Sequence, residues 1–333
     1  MASNLNAEQI KEIFERFKTL KVGVIGDFAV DYYFDFNKNT QEFSVETQKE
    51  VYWASHPKTY LGAAGNVVQN LADLGINHIE AFGYIGNDLF GREMLHLLHQ
   101  KGVKTQNLKI VEGVDTCTYS KPLVNKKEDN RIDFGTNNQL SEKDFDSILE
   151  SLKNQLSNLD LLVINQQFPN PLLNQSRIEK LNEVIGRYPD CICVADTRAF
   201  GKFIRHSTLK VNTNELAKLL NINHLDESDT ENCIVNGRVL NNQINCPILL
   251  TRGENGILYI NNSTVELVEA IKIIGEIDTV GAGDTVLSAF SACVGAKVSV
   301  GEAIQVANLA AAVTVQKINQ TGTANLSEIL AIL

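Results

Sequence analysis

With 333 residues, the chain can hold one large domain or two ordinary ones, with a substantial core. Hydrophobic residues at 44% and charged residues at 21% argue against a disordered or fibrous chain, and a net charge of −10 without a Lys/Arg run argues against a sequence-independent grip on nucleic acid. No stretch approaches the ~18 uninterrupted apolar residues of a membrane helix, so no membrane partner is expected, while a small anionic substrate stays compatible with the charge.

Residues 1–20 read as an amphipathic opening helix without the apolar segment of a secretory signal, and a cytoplasmic location is expected. Residues 21–27 form a short β-rich run that ends in Gly26-Asp27, and Asp27 stands at the carboxyl end of that strand, where ligands bind in open α/β sheets. A carboxylate there suits a polyol. Residues 29–36 and 49–55, and then 116–124 and 130–134, alternate polar and aromatic residues as half-exposed strands do. They are expected to project as a small β-sheet lid, from about 29–56 and 116–134. Its aromatic residues Tyr32, Tyr33, Phe34, Tyr52 and Trp53 would cover a ligand, pair with another subunit as a homodimer, or belong to an ordinary hairpin insertion.

Leu61-Gly62-Ala63-Ala64-Gly65-Asn66 opens a helix over 65–74, with small residues that let a ligand approach the backbone and an amide at Asn66 for sugar hydroxyls. A strand at 79–85 precedes a helix at 89–100, where His96 and His99 lack a third ligand nearby and read as a solvated face. Strands at 160–165, 191–196 and 208–211 and helices at 172–188 and 215–220 continue the alternation. It predicts one α/β domain over 1–333, with a mostly parallel sheet covered by helices on both faces. Cys117, Cys191, Cys193, Cys233, Cys246 and Cys293 contain no CxxC pair and read as core thiols. Asn212 and Glu215 have the spacing of a capping box, and Glu215 could instead hold Mg²⁺ through water. The turn Thr251-Arg252-Gly253-Glu254-Asn255-Gly256 offers N–H donors for nucleotide phosphates, or is a plain hairpin.

Residues Asp278-Thr279-Val280-Gly281-Ala282-Gly283-Asp284-Thr285 carry the strongest chemical signal. A glycine turn enters a helical run, so the backbone N–H groups of Gly281, Ala282 and Gly283 can face an anion with the helix dipole behind them. Asp284 in the same turn can accept a proton from a hydroxyl, the task of a base when a phosphoryl group moves onto an alcohol. Alone, the string also reads as a helix-capping Asp after a glycine turn.

Taken in order, these residues resemble the ribokinase-like carbohydrate kinases of the phosphofructokinase-B type, over about 21–322. The resemblance implies a three-layer α/β fold with a small β-sheet lid, ATP and Mg²⁺ as nucleotide and cofactor, and transfer of the γ-phosphoryl group to a sugar hydroxyl. It assigns Asp284 as catalytic base and the backbone of Gly281, Ala282 and Gly283 as anion hole. Asp27 and Asn66, with Gly62 and Ala63 beside them, would hold the sugar. Asn212 and Glu215 would serve the Mg²⁺-nucleotide complex, Thr251, Gly253 and Gly256 would line the phosphate path, and Asn308 would approach the adenine or ribose. Asp278 and Thr279 correspond to a loop that binds K⁺ in several relatives.

Within the family the chain looks most like the kinase domain of the heptose 7-phosphate kinase and ADP-heptose synthase group. The similarity rests on Gly26-Asp27 with Asp31-Tyr32, Ser44-Val45-Glu46, Arg131-Ile132-Asp133-Phe134 and the helix at 307–312. That likeness puts Arg131 and Asp133, with Asp31, near a sugar phosphate, and Lys121 joins them by charge. As the chain ends at Leu333, the nucleotidyltransferase step is expected of a separate protein. The chain departs from the pattern at Ala63 and Val211, where glycine and proline are usual, and in a lid without prolines around Glu46. Asn165-Gln166-Gln167-Phe168 replaces an Asp-Tyr-x-Lys-Gly segment. The leading expectation is an ATP-dependent sugar or sugar-phosphate kinase. Against it stand a sugar-binding regulatory protein without activity and a kinase for a nucleoside-like alcohol.

Overall fold

In the computed structural model, which describes residues 5–318 and 322–333, strands and helices alternate along the main sheet, with five strands set apart in a second sheet. Residues 1–4 of the expected opening helix, and 319–321 within the resemblance, lie outside the described residues. The strands are β1 (Lys21–Gly26), β2 (Phe28–Phe43), β3 (Glu50–Ala63), β4 (His78–Gly86), β5 (Leu108–Val111), β6 (Thr118–Val124) and β7 (Lys127–Glu128). They continue with β8 (Ile132–Phe134), β9 (Leu161–Gln166), β10 (Ile192–Thr197), β11 (Thr208–Asn212), β12 (Ile248–Thr251), β13 (Ile257–Ile260) and β14 (Val265–Val268).

Nine of them form one sheet in the order β14-β13-β12-β11-β10-β9-β1-β4-β5. Pairing is parallel from β12 to β5 and antiparallel for β12-β13 and β13-β14. The central strands are apolar on both faces because both are covered. Val24, Val163 and Val194 point toward the helices Ala64–Asp73, Ala282–Gly295 and Val300–Thr314. Ile25, Ile164 and Ala195 pack on the other side against Glu142–Gln155, Gln175–Ile185 and Thr230–Ile244. The opening helix Ala7–Phe17, held by an Asn6–Gln9 capping box, buries Ile10, Ile13, Phe14 and Phe17.

A second sheet, β3-β2-β6-β7 with β8 on β6, stands at the carboxyl ends of the main strands. β2 and β3 run from the end of β1 to the start of the helix Ala64–Asp73, so they are far longer than the alternating segments at 29–36 and 49–55 suggest. Their outer halves are solvent-exposed on both faces, and alternation has nothing to report there. The helix expected over 172–188 starts only at Gln175, capped by the Asn174 side chain after Pro169 and Pro171. Cys117, Cys191, Cys193, Cys233, Cys246 and Cys293 are buried free thiols. Among the described residues, no helix is long and apolar enough to cross a membrane.

Candidate active site

The site forms where the carboxyl ends of β1, β9, β10 and β11 meet the starts of the helices Ala64–Asp73, Thr213–Leu220 and Ala282–Gly295. β1 ends at Gly26 because the chain there runs against the neighbouring strand: a Cβ would fall 2.0 Å from the Asn165 carbonyl oxygen. The next residue, Asp27, is buried, and its carboxylate accepts the backbone N–H groups of Gln167 at 2.7 Å, Phe168 at 2.9 Å and Leu172 at 2.7 Å. Desolvation outweighs those bonds and pushes the Asp27 carboxyl up to about 6. Asp27 thus anchors the 167–172 loop, which begins with Gln167 and Phe168 of the segment that departs from the family pattern.

The helix Ala64–Asp73 starts from Ala63 at φ +51°, ψ −126°, a backbone setting that a side chain strains. That explains why glycine is usual there. It turns Asn66 so that its Nδ2 donates to Asp284 Oδ2 at 2.7 Å, while Asn70 supports Asn66 through its backbone oxygen at 2.9 Å. Asn70 in turn accepts from Thr285 Oγ1 at 2.8 Å, and Thr285 meets Thr314 at 3.1 Å. Asn66, given to the sugar in the sequence reading, therefore holds the proposed base.

Gly281 caps the helix Ala282–Gly295 at φ +81°, in the left-handed region that glycine tolerates. The Ala282 N–H turns back to the Thr279 oxygen at 3.2 Å, whereas the N–H groups of Gly283 and Asp284 have no acceptor among the described residues. Asp284 lies in the first turn, with Gln167 Nε2 at 3.4 Å from its Oδ1. Desolvation, then the charge of Asp196, carries its carboxyl up to about 6 against the Asn66 bond and the charges of Lys210 and Arg198.

The parallel register aligns Asn165, Asp196 and Lys210 across β9, β10 and β11. Lys210 Nζ and Asp196 Oδ2 pair at 2.7 Å in the interior, and the ammonium is 3.1 Å from where a Cβ of Gly283 would be. A side chain at 283 would press on that cation. Burial works against the Lys210 charge, but Asp196, Glu215 and Asp284 outweigh it and bring the group to about 12. Asn165 beside them is buried with neither amide atom hydrogen-bonded among the described residues.

At the end of β11, Asn212 and Glu215 form a reciprocal capping box, both bonds at 2.8 Å. Burial and Asp196 raise the Glu215 carboxyl above the usual range. Oε2 of Glu215 is used on the Asn212 N–H. No group of three or more His, Cys, Asp or Glu among the described residues could cage a metal. Thr251 and Gly256 bracket the β12-β13 hairpin turn, and Gly256 at φ +85° would drive a Cβ to 2.0 Å from the Val268 oxygen. Thr251 Oγ1 reaches the Val211 oxygen at 3.4 Å, and Gly253 lies against the Glu227 carboxylate, 3.1 Å from where its Cβ would be. Asn308 Nδ2 donates to the Glu269 oxygen at 2.9 Å. Asp278 and Thr279 lie on the segment before the glycine turn, where Asp278 Oδ1 accepts the Val280 N–H at 3.0 Å.

The smaller sheet carries a second set of charged residues. Asp31 and Lys121 pair at 3.1 Å, with the Tyr33 hydroxyl on Lys121 at 2.9 Å and the Asp31 carboxyl 3.2 Å from where a Cβ of Gly62 would be. Desolvation raises the Asp31 carboxyl against the pull of Lys121. Arg131 pairs with Asp133 at 2.8 Å and lies over the Tyr119 ring at 4.5 Å, and Tyr119 meets Phe168 edge-on at 6.1 Å. The sequence reading gave no role to Lys210, Asp196 and Arg198, and took Gln167 only as part of a departure from the family pattern. A lysine inside an apolar strand two residues before Asn212 was a usable signal for the first, and an acid at a strand end, as at Asp27, for the second.

Residues 20–326 match the family model described as pfkB family carbohydrate kinase. The bifunctional protein HldE of Sulfurimonas denitrificans is 28% identical over 313 residues, which is 93% of this chain and 64% of that protein. That of Aliarcobacter butzleri is 25% identical over 308 residues, 92% of this chain and 63% of the relative. The chain thus spans less than two thirds of the length of these relatives. Among solved structures, phosphofructokinase-2 from Escherichia coli in complex with potassium superposes with a TM-score of 0.73 at 16% identity, covering 94% of this chain and 98% of that one. Ribokinase from Arabidopsis thaliana, complexed with ribose and ATP, gives 0.72 at 17% identity over 94% and 98%. The fold is therefore ribokinase-like.

Proposed function

We propose, from the premise that this chain belongs to the pfkB family of carbohydrate kinases, that it moves the γ-phosphoryl group of ATP to a hydroxyl of a phosphorylated sugar. Family membership makes it a carbohydrate kinase; the acceptor and the residue roles are our reading. One observation carries it: Asp284 stands in the first turn after the Gly281–Gly283 bend, held by Asn66 at 2.7 Å, with its carboxyl raised to about 6. A base so tuned is ionised at neutral pH and basic enough to take a hydroxyl proton.

In this reading Asp284 Oδ1 accepts the acceptor proton, and the Gly283 N–H, the helix dipole and the buried Lys210 ammonium stabilise the phosphoryl charge. Glu215 would hold Mg²⁺ through water, and the ion would neutralise charge on the phosphates. Asp278 and Thr279 would hold K⁺. The 167–172 loop, fixed by Asp27, and the lid strands β2, β3, β6 and β8 would close on the acceptor and exclude water that would otherwise hydrolyse ATP. We take the acceptor to be a heptose 7-phosphate, its phosphate met by Arg131 and Lys121. Support comes from the similarity to HldE proteins and from two cations set on lid aromatic rings, Arg131 on Tyr119 and Lys121 on Tyr33. A separate nucleotidyltransferase would then use the product. Exposed Trp53, Tyr52 and Phe43 on the lid favour a homodimer through that sheet.

The test is ADP release with Mg-ATP and K⁺ against a heptose 7-phosphate, fructose 6-phosphate, ribose and a set of nucleosides. Turnover highest with the heptose phosphate is expected. Turnover with nucleosides alone would overturn the acceptor assignment.

A further inference from the structure

Among the described residues, four cations lie around the cleft, and three are already paired: Lys121 with Asp31, Arg131 with Asp133 and Lys210 with Asp196. Arg198, the residue after β10, is the exception. It is exposed and forms no ion pair among the described residues; its guanidinium makes one long contact, Nη2 to Gln167 Oε1 at 3.4 Å. Its backbone is held firmly by comparison. The Arg198 N–H donates to the Gln166 oxygen at 3.2 Å, and the next N–H, of Ala199, donates to Gln166 Oε1 at 3.2 Å. A fixed base thus carries a side chain that is free to swing.

Its position is central. The same Gln167 amide that accepts from Arg198 donates to Asp284 Oδ1 at 3.4 Å, so one side chain links the cation to the base. The Arg198 charge is felt at Asp27 and Tyr119 on the acceptor side, at Asp284 in the middle and at Glu215 on the nucleotide side. The anion that must occupy that midpoint in every turnover is the phosphoryl group in transit.

We propose that Arg198 is a catalytic residue whose guanidinium meets the phosphoryl group as it passes from nucleotide to acceptor, and that Gln167 positions it. The inference rests on the kinase reading given above. The acceptor hydroxyl donates to Asp284 Oδ1, takes the place of the Gln167 amide and frees Arg198. The acceptor oxygen then bonds to the γ-phosphorus while the bond from that phosphorus to the β,γ-bridging oxygen breaks. The electron pair stays on the terminal phosphate of ADP, and the proton resides on Asp284. Spread over the equatorial oxygens, the charge of the phosphoryl group suits a planar guanidinium fork.

The experiment compares Arg198→Ala and Arg198→Lys with the wild type, using Mg-ATP with a heptose 7-phosphate, fructose 6-phosphate and ribose. We expect kcat of Arg198→Ala to fall about 100-fold or more, with KM for ATP and acceptor within about threefold. Added guanidinium restores part of kcat in Arg198→Ala but not in Arg198→Lys, a rescue that a structural role would not give. Without any acceptor, Mg-ADP with aluminium fluoride, a mimic of the group in transit, binds Arg198→Ala more weakly than wild type, while Mg-ADP alone binds both equally. Unchanged kcat and unchanged binding of the mimic would overturn the proposal. So would a loss confined to KM for the phosphorylated acceptors, which would make Arg198 a reader of the acceptor phosphate. Asp284→Asn, run alongside, separates the two claims: full activity there sinks the kinase reading, whereas a dead Asp284→Asn beside an unimpaired Arg198→Ala sinks only this one.

Discussion

The floor of the site and its lid are built on opposite principles. Beneath Asp284, polar groups are sealed in and matched: Asp27 to three backbone N–H groups, Asn66 to Asp284 and Asn70, Lys210 to Asp196. Toward the outer lid, charge sits nearer the surface, as with Arg131 over the Tyr119 ring, and the outer ends of β2 and β3 stay exposed, whereas the Lys121–Asp31 pair at the base of the lid is buried like the floor. A buried network fixes geometry for chemistry at the cost of charge burial. A surface of rings and paired charges can instead adapt to an acceptor, so the floor should set what reaction occurs and the lid what undergoes it.

The comparison breaks most visibly at Lys210. Its replacement by Ala leaves Asp196 buried without a partner, and a loss of about 3–5 kcal/mol is expected in denaturant unfolding. Removing the more exposed lid cation in Arg131→Met should cost far less stability while raising the KM for a phosphorylated acceptor. Next comes Asp27→Ala, which strips the acceptor from the N–H groups of Gln167, Phe168 and Leu172. It should destabilise by about 2–3 kcal/mol, with faster amide hydrogen exchange confined to that loop.

pH gives a finer test. Asp27 and Asp284 have folded-state carboxyls raised from 3.8 to about 6, so their contribution to stability is complete below pH 3.8 and is lost as pH rises through 6. Asp284→Asn removes one of these charges. The variant should melt higher than wild type at pH 7, with a smaller gap at pH 5; equal gaps would show that Asp284 carries no such cost. The smallest effect belongs to Ala63→Gly, which relieves a side chain at φ +51° and should stabilise by about 1 kcal/mol in thermal unfolding.

What the sequence disclosed follows the same division. Gly281 to Asp284 and Asn212 to Glu215 each lie within one turn of chain, so their spacing was legible as a glycine-turn helix start and a capping box, and both elements are present. The parallel sheet was legible because unalternating strands such as 160–165 report burial on two faces. Lys210 with Asp196, and Gln167 between Asp284 and Arg198, depend on register between strands and on loops held from afar. No local pattern encodes those pairings. The length of β2 and β3 was hidden for a different reason, since their outer halves face solvent on both sides.

The most direct test of the account is the pH dependence of kcat/KM for Mg-ATP-dependent phosphorylation, measured for wild type and Asp284→Asn with the best acceptor of the panel. The account predicts a wild-type rate that falls below pH ~6 as a single base is protonated, and an Asp284→Asn rate about 1,000-fold lower or less at pH 7 with the fold intact. A folded Asp284→Asn protein that keeps near-normal turnover, with the same acid limb, would contradict it.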